Sequence, residues 1–179
     1  MSYDFECVIM TSGVRGTPHM ASLNNSNPEL IVHTCVSPEV GYKGWYNCDR
    51  HIREWSRREL TASKYLFLEY DVLIDASIKN YFDNNDVEAM GYTDCDFPCI
   101  AEGSKLKAYD IKACRISPLA VVMLSRQVLS AIVQPEMNSV FEDEIYCEVR
   151  FPSVIQHLGY SIAVNGKLNK EHGVCHPVK

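Results

Sequence analysis

Apolar positions fall in short runs separated by polar, glycine- or proline-bearing stretches, and one run stands out: Lys64-Tyr65-Leu66-Phe67-Leu68-Glu69-Tyr70-Asp71-Val72-Leu73-Ile74. Its length and its aromatic and β-branched content predict a central strand covered on both faces. Shorter runs predict strands over Phe5 to Met10, Leu30 to Val36, Val87 to Tyr92, 111–116 and Ser161 to Val164. Helical spacing predicts one helix from about Asp49 to Glu59, capped by Asp49, and another from Ser125 to Val133, closed by Pro135. Phe141 to Leu158 reads as mainly helical with an interruption near Pro152. Asp75 to Tyr81 is a short helix or turn, and Thr93 to Asp110 is a long connection suited to facing an acceptor. Strands alternating with helices predict an α/β protein.

The 179 residues fit one domain, 1–179, with a core large enough to need no staples. A formal charge of −6 argues against a nucleic-acid partner, which selects a basic face. Eight cysteines are scattered with no leader-like segment ahead of them, which predicts a reduced, cytoplasmic chain. Cys95 and Cys99 form a close pair without matching zinc ligands. No apolar stretch approaches the roughly 18 residues of a membrane span, so no integral membrane segment is expected.

Chemistry is expected at the carboxyl end of the 64–74 strand, where open α/β sheets bind ligands. Glu69 and Asp71 lie two residues apart, so on a strand they share a side, and hard carboxylate oxygens suit Mg²⁺ or Mn²⁺. The plain alternative is a solvated strand end. Thr11 and Ser12 open a glycine- and hydroxyl-bearing loop that suits a phosphate or a base edge. Asp49 and Arg50 meet at a helix start, a place that attracts nucleotide phosphates; capping and packing are the competing roles. Glu144 and Glu148 are spaced i, i+4 and could present a general base from one helix face. An acidic first turn favoured by the helix dipole explains Glu142 and Asp143 better than it explains Glu148. His176 could complete a cation site begun by Asp71, with Lys179 facing a phosphate; an exposed tail is the alternative. Ser125 at a strand-to-helix turn is a lesser candidate for an acceptor contact.

The order of these segments resembles a nucleotide-sugar glycosyltransferase of the GT-A fold, in a compact bacterial or viral-type form, from about Glu6 to the end of the chain. The residues that carry it are Asp49-Arg50 with Trp55, Glu69-Tyr70-Asp71, Ser117-Pro118 through Leu124-Ser125-Arg126, Glu148-Val149-Arg150-Phe151-Pro152-Ser153 and Gly173 with His176-Pro177-Val178-Lys179. The resemblance implies a Rossmann-related mixed sheet flanked by helices. It also implies a nucleoside-diphosphate sugar donor, a glycan or other hydroxyl acceptor, and a divalent cation, Mn²⁺ or Mg²⁺. In its terms Glu69 touches ribose or metal, Asp71 and His176 hold the metal, Asp49 and Arg50 contact the nucleotide, and Glu148 or Glu144 is the base. The acidic triplet is Glu-Tyr-Asp where the family has Asp-x-Asp, and the chain is short for the fold. Two other readings stay open: a metal-dependent nucleotidyltransferase or phosphohydrolase, and a degenerate domain that binds a nucleotide sugar without turning it over.

Overall fold

The computed structural model describes residues 3–12, 14–37, 48–82, 87–92, 120–142, 146–165 and 174–175. The strands are β1 (Phe5–Ser12), β2 (Val32–Ser37), β3 (Lys64–Glu69), β4 (Leu73–Ile74), β5 (Ala89–Tyr92), β6 (Val121–Ser125), β7 (Ile162–Asn165) and β8 (Val174–Cys175). The helices are α1 (Met20–Ser26), α2 (Cys48–Trp55), α3 (Lys79–Phe82), α4 (Arg126–Ile132), α5 (Asn138–Phe141) and α6 (Cys147–His157), with a 3₁₀ turn at Pro135–Met137. A six-stranded sheet has the order β2-β1-β3-β6-β5-β7. Strands β2, β1 and β3 run parallel, β6 opposes both β3 and β5, and β5 runs parallel to β7. The sheet is therefore mixed, and β6 alone of its strands points the other way.

Side-chain alternation sorts the core into two layers. Val8, Met10, Tyr65 and Phe67 face α2, α4 and α6, whereas Cys7, Ile9, Leu66 and Leu68 face α1 and α3. Trp55, at the end of α2, is the anchor of the first layer: its ring meets Tyr65 and Phe67 edge-on at centroid distances of 5.4 and 5.5 Å. No helix among the described residues is long and apolar enough to cross a membrane.

The structure shortens the central strand. β3 stops at Glu69, and the Val72 N–H donates to the Glu69 carbonyl at 3.1 Å, so Tyr70 and Asp71 occupy a tight turn. Strand β6 begins with Val121 opposite Leu68, so the ladder on that side of β3 is at its end here, whereas β1 runs two residues past Met10, the partner of Glu69. Leu73 and Ile74 pair instead with Cys175 and Val174 in a separate two-stranded ladder. Residues 174–175 of the tail thus contribute β8.

Three further differences follow from packing and capping. Helix α6 runs through Pro152, because its buried face holds it where one backbone hydrogen bond is lost; the break falls between α5 and α6 instead. Helix α1 carries one buried residue, Leu23, too little for the hydrophobic pattern to reveal it. Ser125 sits at the end of the antiparallel β6, opposite Lys64 at the start of β3 and so away from the carboxyl ends of β1 and β3. Its hydroxyl accepts from the Val128 N–H at 3.3 Å and caps α4. Ser125→Ala is expected to cost about 1 kcal/mol, read as a lower urea midpoint at unchanged slope. The expected strand over 111–116 and the loop over 93–110 lie outside the described residues.

Candidate active site

The chain leaves β1 through α1 to reach β2 on one side, then crosses through α2 to β3 on the other side of β1. Helices α1 and α2 accordingly cover opposite faces, as Leu23 and Ile52 fall in different core layers. Strand order thus reverses between β1 and β3, and the crevice outside their carboxyl ends is the place where open α/β sheets bind ligands. Ser12, Glu69 and the turn through Tyr70 and Asp71 stand at that crevice.

Glu69 lies on the α2 and α6 side of β3, in step with Tyr65 and Phe67, and is only 8% exposed. Asp71 is 9% exposed. These are not the solvated acids of an ordinary strand end. Their proximity, however, comes from the turn and not from strand alternation, since Asp71 lies beyond the strand. Beside them Ser12 is buried, and its Oγ has no hydrogen-bond partner among the described residues. A buried hydroxyl in that state costs free energy unless a ligand or water satisfies it.

Thr11 is used within the loop. Its hydroxyl donates to the Gly16 carbonyl and, at 3.1 Å, to the Ser12 carbonyl. Gly16 has φ +63°, which a side chain adopts only with strain. Gly16→Ala is expected to cost about 1–2 kcal/mol in a thermal or urea unfolding curve. Arg15 of the same loop places its guanidinium carbon 4.7 Å from the centroid of the Tyr70 ring.

Asp49 is a correction to the sequence reading. Neither a helix cap nor exposed to a nucleotide, it is fully buried, and its Oδ2 and Oδ1 accept from Arg150 Nε at 2.7 Å and Nη2 at 2.6 Å. Burial alone would lower the Arg150 guanidinium, but the Asp49 carboxylate holds it above its ordinary value. The bidentate pair ties α2 to α6. Arg50 donates from Nε to the Phe141 carbonyl at 2.5 Å, linking α2 to α5. It lines an open groove with Arg53, Arg57 and Asn138.

Next to the ion pair, Cys48 and Cys147, the first residues of α2 and α6, bring their sulfurs to 3.2 Å. The hydrogen bond to Cys147 and burial push the Cys48 thiol well up, and the carboxylates of Asp49 and Glu69 push it the same way. Glu148, in the first turn of α6, is 5% exposed and shares a helix face with Phe151 and Ile155, both in the core layer beneath α6. It therefore lies on the side of the sheet that Glu69 faces.

Glu144 lies outside the described residues. So do His176 and Lys179. Among the described residues no three acidic, histidine or cysteine side chains are grouped for a metal ion. The carboxylates of Glu69 and Asp71 do supply the hard oxygen donors that Mg²⁺ or Mn²⁺ requires. Sequence reasoning missed the contact of Arg15 with Tyr70 and the role of Arg150. The last was hidden because its partner lies 101 residues away.

No protein-family model matches the chain, and no curated protein matches it in sequence. Solved structures do match its fold. The glycosyltransferase GlyE of Streptococcus pneumoniae superposes with TM-score 0.55 at 10% identity over 93% of this chain and 46% of that one. A glycosyltransferase involved in glycosylating the major capsid of PBCV-1 superposes with TM-score 0.54 at 9% identity, over 92% of this chain and 85% of that one. A Bacillus anthracis chain assigned as a glucose-1-phosphate thymidylyltransferase gives TM-score 0.50 at 9% identity, over 91% and 87%. The chain thus has a GT-A-like fold, and it spans less than half the length of GlyE.

Proposed function

We propose that the protein is a glycosyltransferase that moves a sugar from a nucleoside-diphosphate donor to a hydroxyl of a glycan or other acceptor. One observation carries the reading: two nearly buried carboxylates, Glu69 and Asp71, sit at the strand-order reversal of a GT-A-like sheet. Asp71, with Glu69 and His176, would hold Mn²⁺ or Mg²⁺. The pairing of Leu73 with Cys175 supports the inclusion of His176, because it brings the chain next to that histidine within two residues of Asp71. The bound cation supplies charge neutralisation for the leaving diphosphate.

The protein's own groups do the rest. The Ser12 hydroxyl hydrogen-bonds the donor, Lys179 faces its phosphate, and Glu148 takes the proton from the acceptor hydroxyl if the reaction inverts. Among the described residues Cys7, Cys35, Cys48 and Cys147 are buried and form no disulfide, which fits the proposed reducing, cytoplasmic setting.

The test is turnover of a nucleotide-sugar panel with Mn²⁺ and simple glycan acceptors, read as released nucleoside diphosphate. Acceptor-dependent release upholds the proposal. Pyrophosphate formed from a nucleoside triphosphate and a sugar 1-phosphate would reassign the protein to the nucleotidyltransferases that share the fold. Donor binding with neither reaction would make it a binding domain. Asp71→Asn is expected to abolish Mn²⁺-dependent donor binding while the protein stays folded. Calorimetric titration checks this, and unchanged metal-dependent affinity would remove Asp71 from the cation site.

A further inference from the structure

We infer that Cys48 and Cys147 are a reversible dithiol–disulfide pair, a peroxide-sensitive staple between the starts of α2 and α6. Their sulfurs stand 3.2 Å apart, although the two residues are separated by 99 positions in the chain. Each cysteine is the first residue of its helix, and both are buried. The neighbouring ion pair holds them in this register. Asp49 follows Cys48 directly, Arg150 lies about one turn into α6 from Cys147, and hydrogen bonds of 2.7 and 2.6 Å join the two. Competing partners are not at hand. Of the other buried cysteines among the described residues, Cys7 lies in the opposite core layer and Cys35 directs its thiol at the His51 carbonyl, 3.8 Å away.

Hydrogen peroxide is an oxidant small enough to enter such a site, and the reaction needs no cofactor. The sulfur of Cys48, the more exposed of the two at 6% against 1%, attacks one peroxide oxygen. The O–O bond breaks, the sulfur becomes a sulfenic acid, and the other oxygen leaves as water with the thiol proton. The Cys147 sulfur then attacks the Cys48 sulfur, the S–S bond forms, and the sulfenic oxygen leaves as a second water with the second thiol proton. Two thiols and one peroxide thus give one disulfide and two waters. A resolving thiol already in contact captures the sulfenic acid before a further peroxide carries it to sulfinic acid. Burial and the nearby carboxylates keep the Cys48 thiol protonated, so the first step is slow and the pair answers sustained exposure. Bond formation closes the sulfurs from 3.2 Å to about 2 Å and fixes the first turn of α6, with Glu148 on it, against α2.

The experiment treats the reduced protein, freed of reductant, with hydrogen peroxide and follows it by non-reducing peptide mass mapping and by thermal unfolding. The map should show one peptide pair joined through Cys48 and Cys147, lighter by two hydrogens than the separate peptides. Closing a loop of about 100 residues should raise the melting temperature by about 5–10 °C, and dithiothreitol should return it to the starting value. Cys48→Ser and Cys147→Ser proteins should show no peroxide-dependent rise. Recovery of both residues as thiols, or of either as an unlinked sulfinic acid, after other cysteines have been oxidised would overturn the pair. A linked protein that melts within about 1 °C of the reduced form would overturn the staple. The wild-type map decides between these even where a serine variant does not fold.

Discussion

Arg150→Met is expected to destabilise the protein by about 3–5 kcal/mol, because it strands the Asp49 carboxylate in a fully buried position. The loss should appear in urea unfolding as a lowered midpoint at unchanged slope. The partner substitution gives the decisive comparison. Asp49→Leu combined with Arg150→Met removes both charges and should recover most of the lost stability, since a buried pair repays little beyond its own desolvation. A single Arg150→Met variant that loses less than about 1 kcal/mol would show that water reaches Asp49, contrary to its burial. Because the pair joins the first turns of α2 and α6, the single variant should also loosen the mounting of Glu148.

Glu148→Gln carries the largest expected effect on chemistry. If Glu148 takes the acceptor proton, the amide should lower kcat by about 10²- to 10⁴-fold, with donor affinity and melting temperature unchanged. Glutamine keeps the size of the side chain and its ability to accept a hydrogen bond, so packing against the layer of Phe151 and Ile155 survives. Steady-state kinetics with a saturating donor separate the two quantities. A folded Glu148→Gln protein with wild-type kcat would remove Glu148 from the reaction.

The architecture was legible where residues report local environment. The doubly buried run at 64–69 and the alternation of strands and helices follow from hydrophobic pattern, and the GT-A-like fold agrees with the resemblance drawn from segment order. The failures share one physical cause, that the deciding partner lies far away in the chain. Asp49 reads as a cap because the pattern cannot show Arg150 folding onto it from α6. The turn at Tyr70 and Asp71 falls where the ladder with β6 ends, not where the apolar run ends. Pro152 reads as a break because the burial that carries α6 through it belongs to the tertiary structure. The contact of Arg15 with Tyr70 is made only by the folded loop. The parts of the site at Glu144, His176 and Lys179 rest on the sequence reading.

The central claim is that the crevice between β1 and β3 binds a nucleoside diphosphate through a cation held by Asp71. Thermal unfolding of the wild-type and Asp71→Asn proteins with each nucleoside diphosphate, with and without Mn²⁺, tests it most directly. A ligand that binds only the native state must raise its stability. At concentrations about 100-fold above its Kd the rise for a domain of this size is about 5–10 °C. The expected result is a shift that requires both Mn²⁺ and one particular diphosphate in the wild type and is absent from Asp71→Asn. No shift with any diphosphate, or an equal metal-dependent shift in both proteins, would contradict the account.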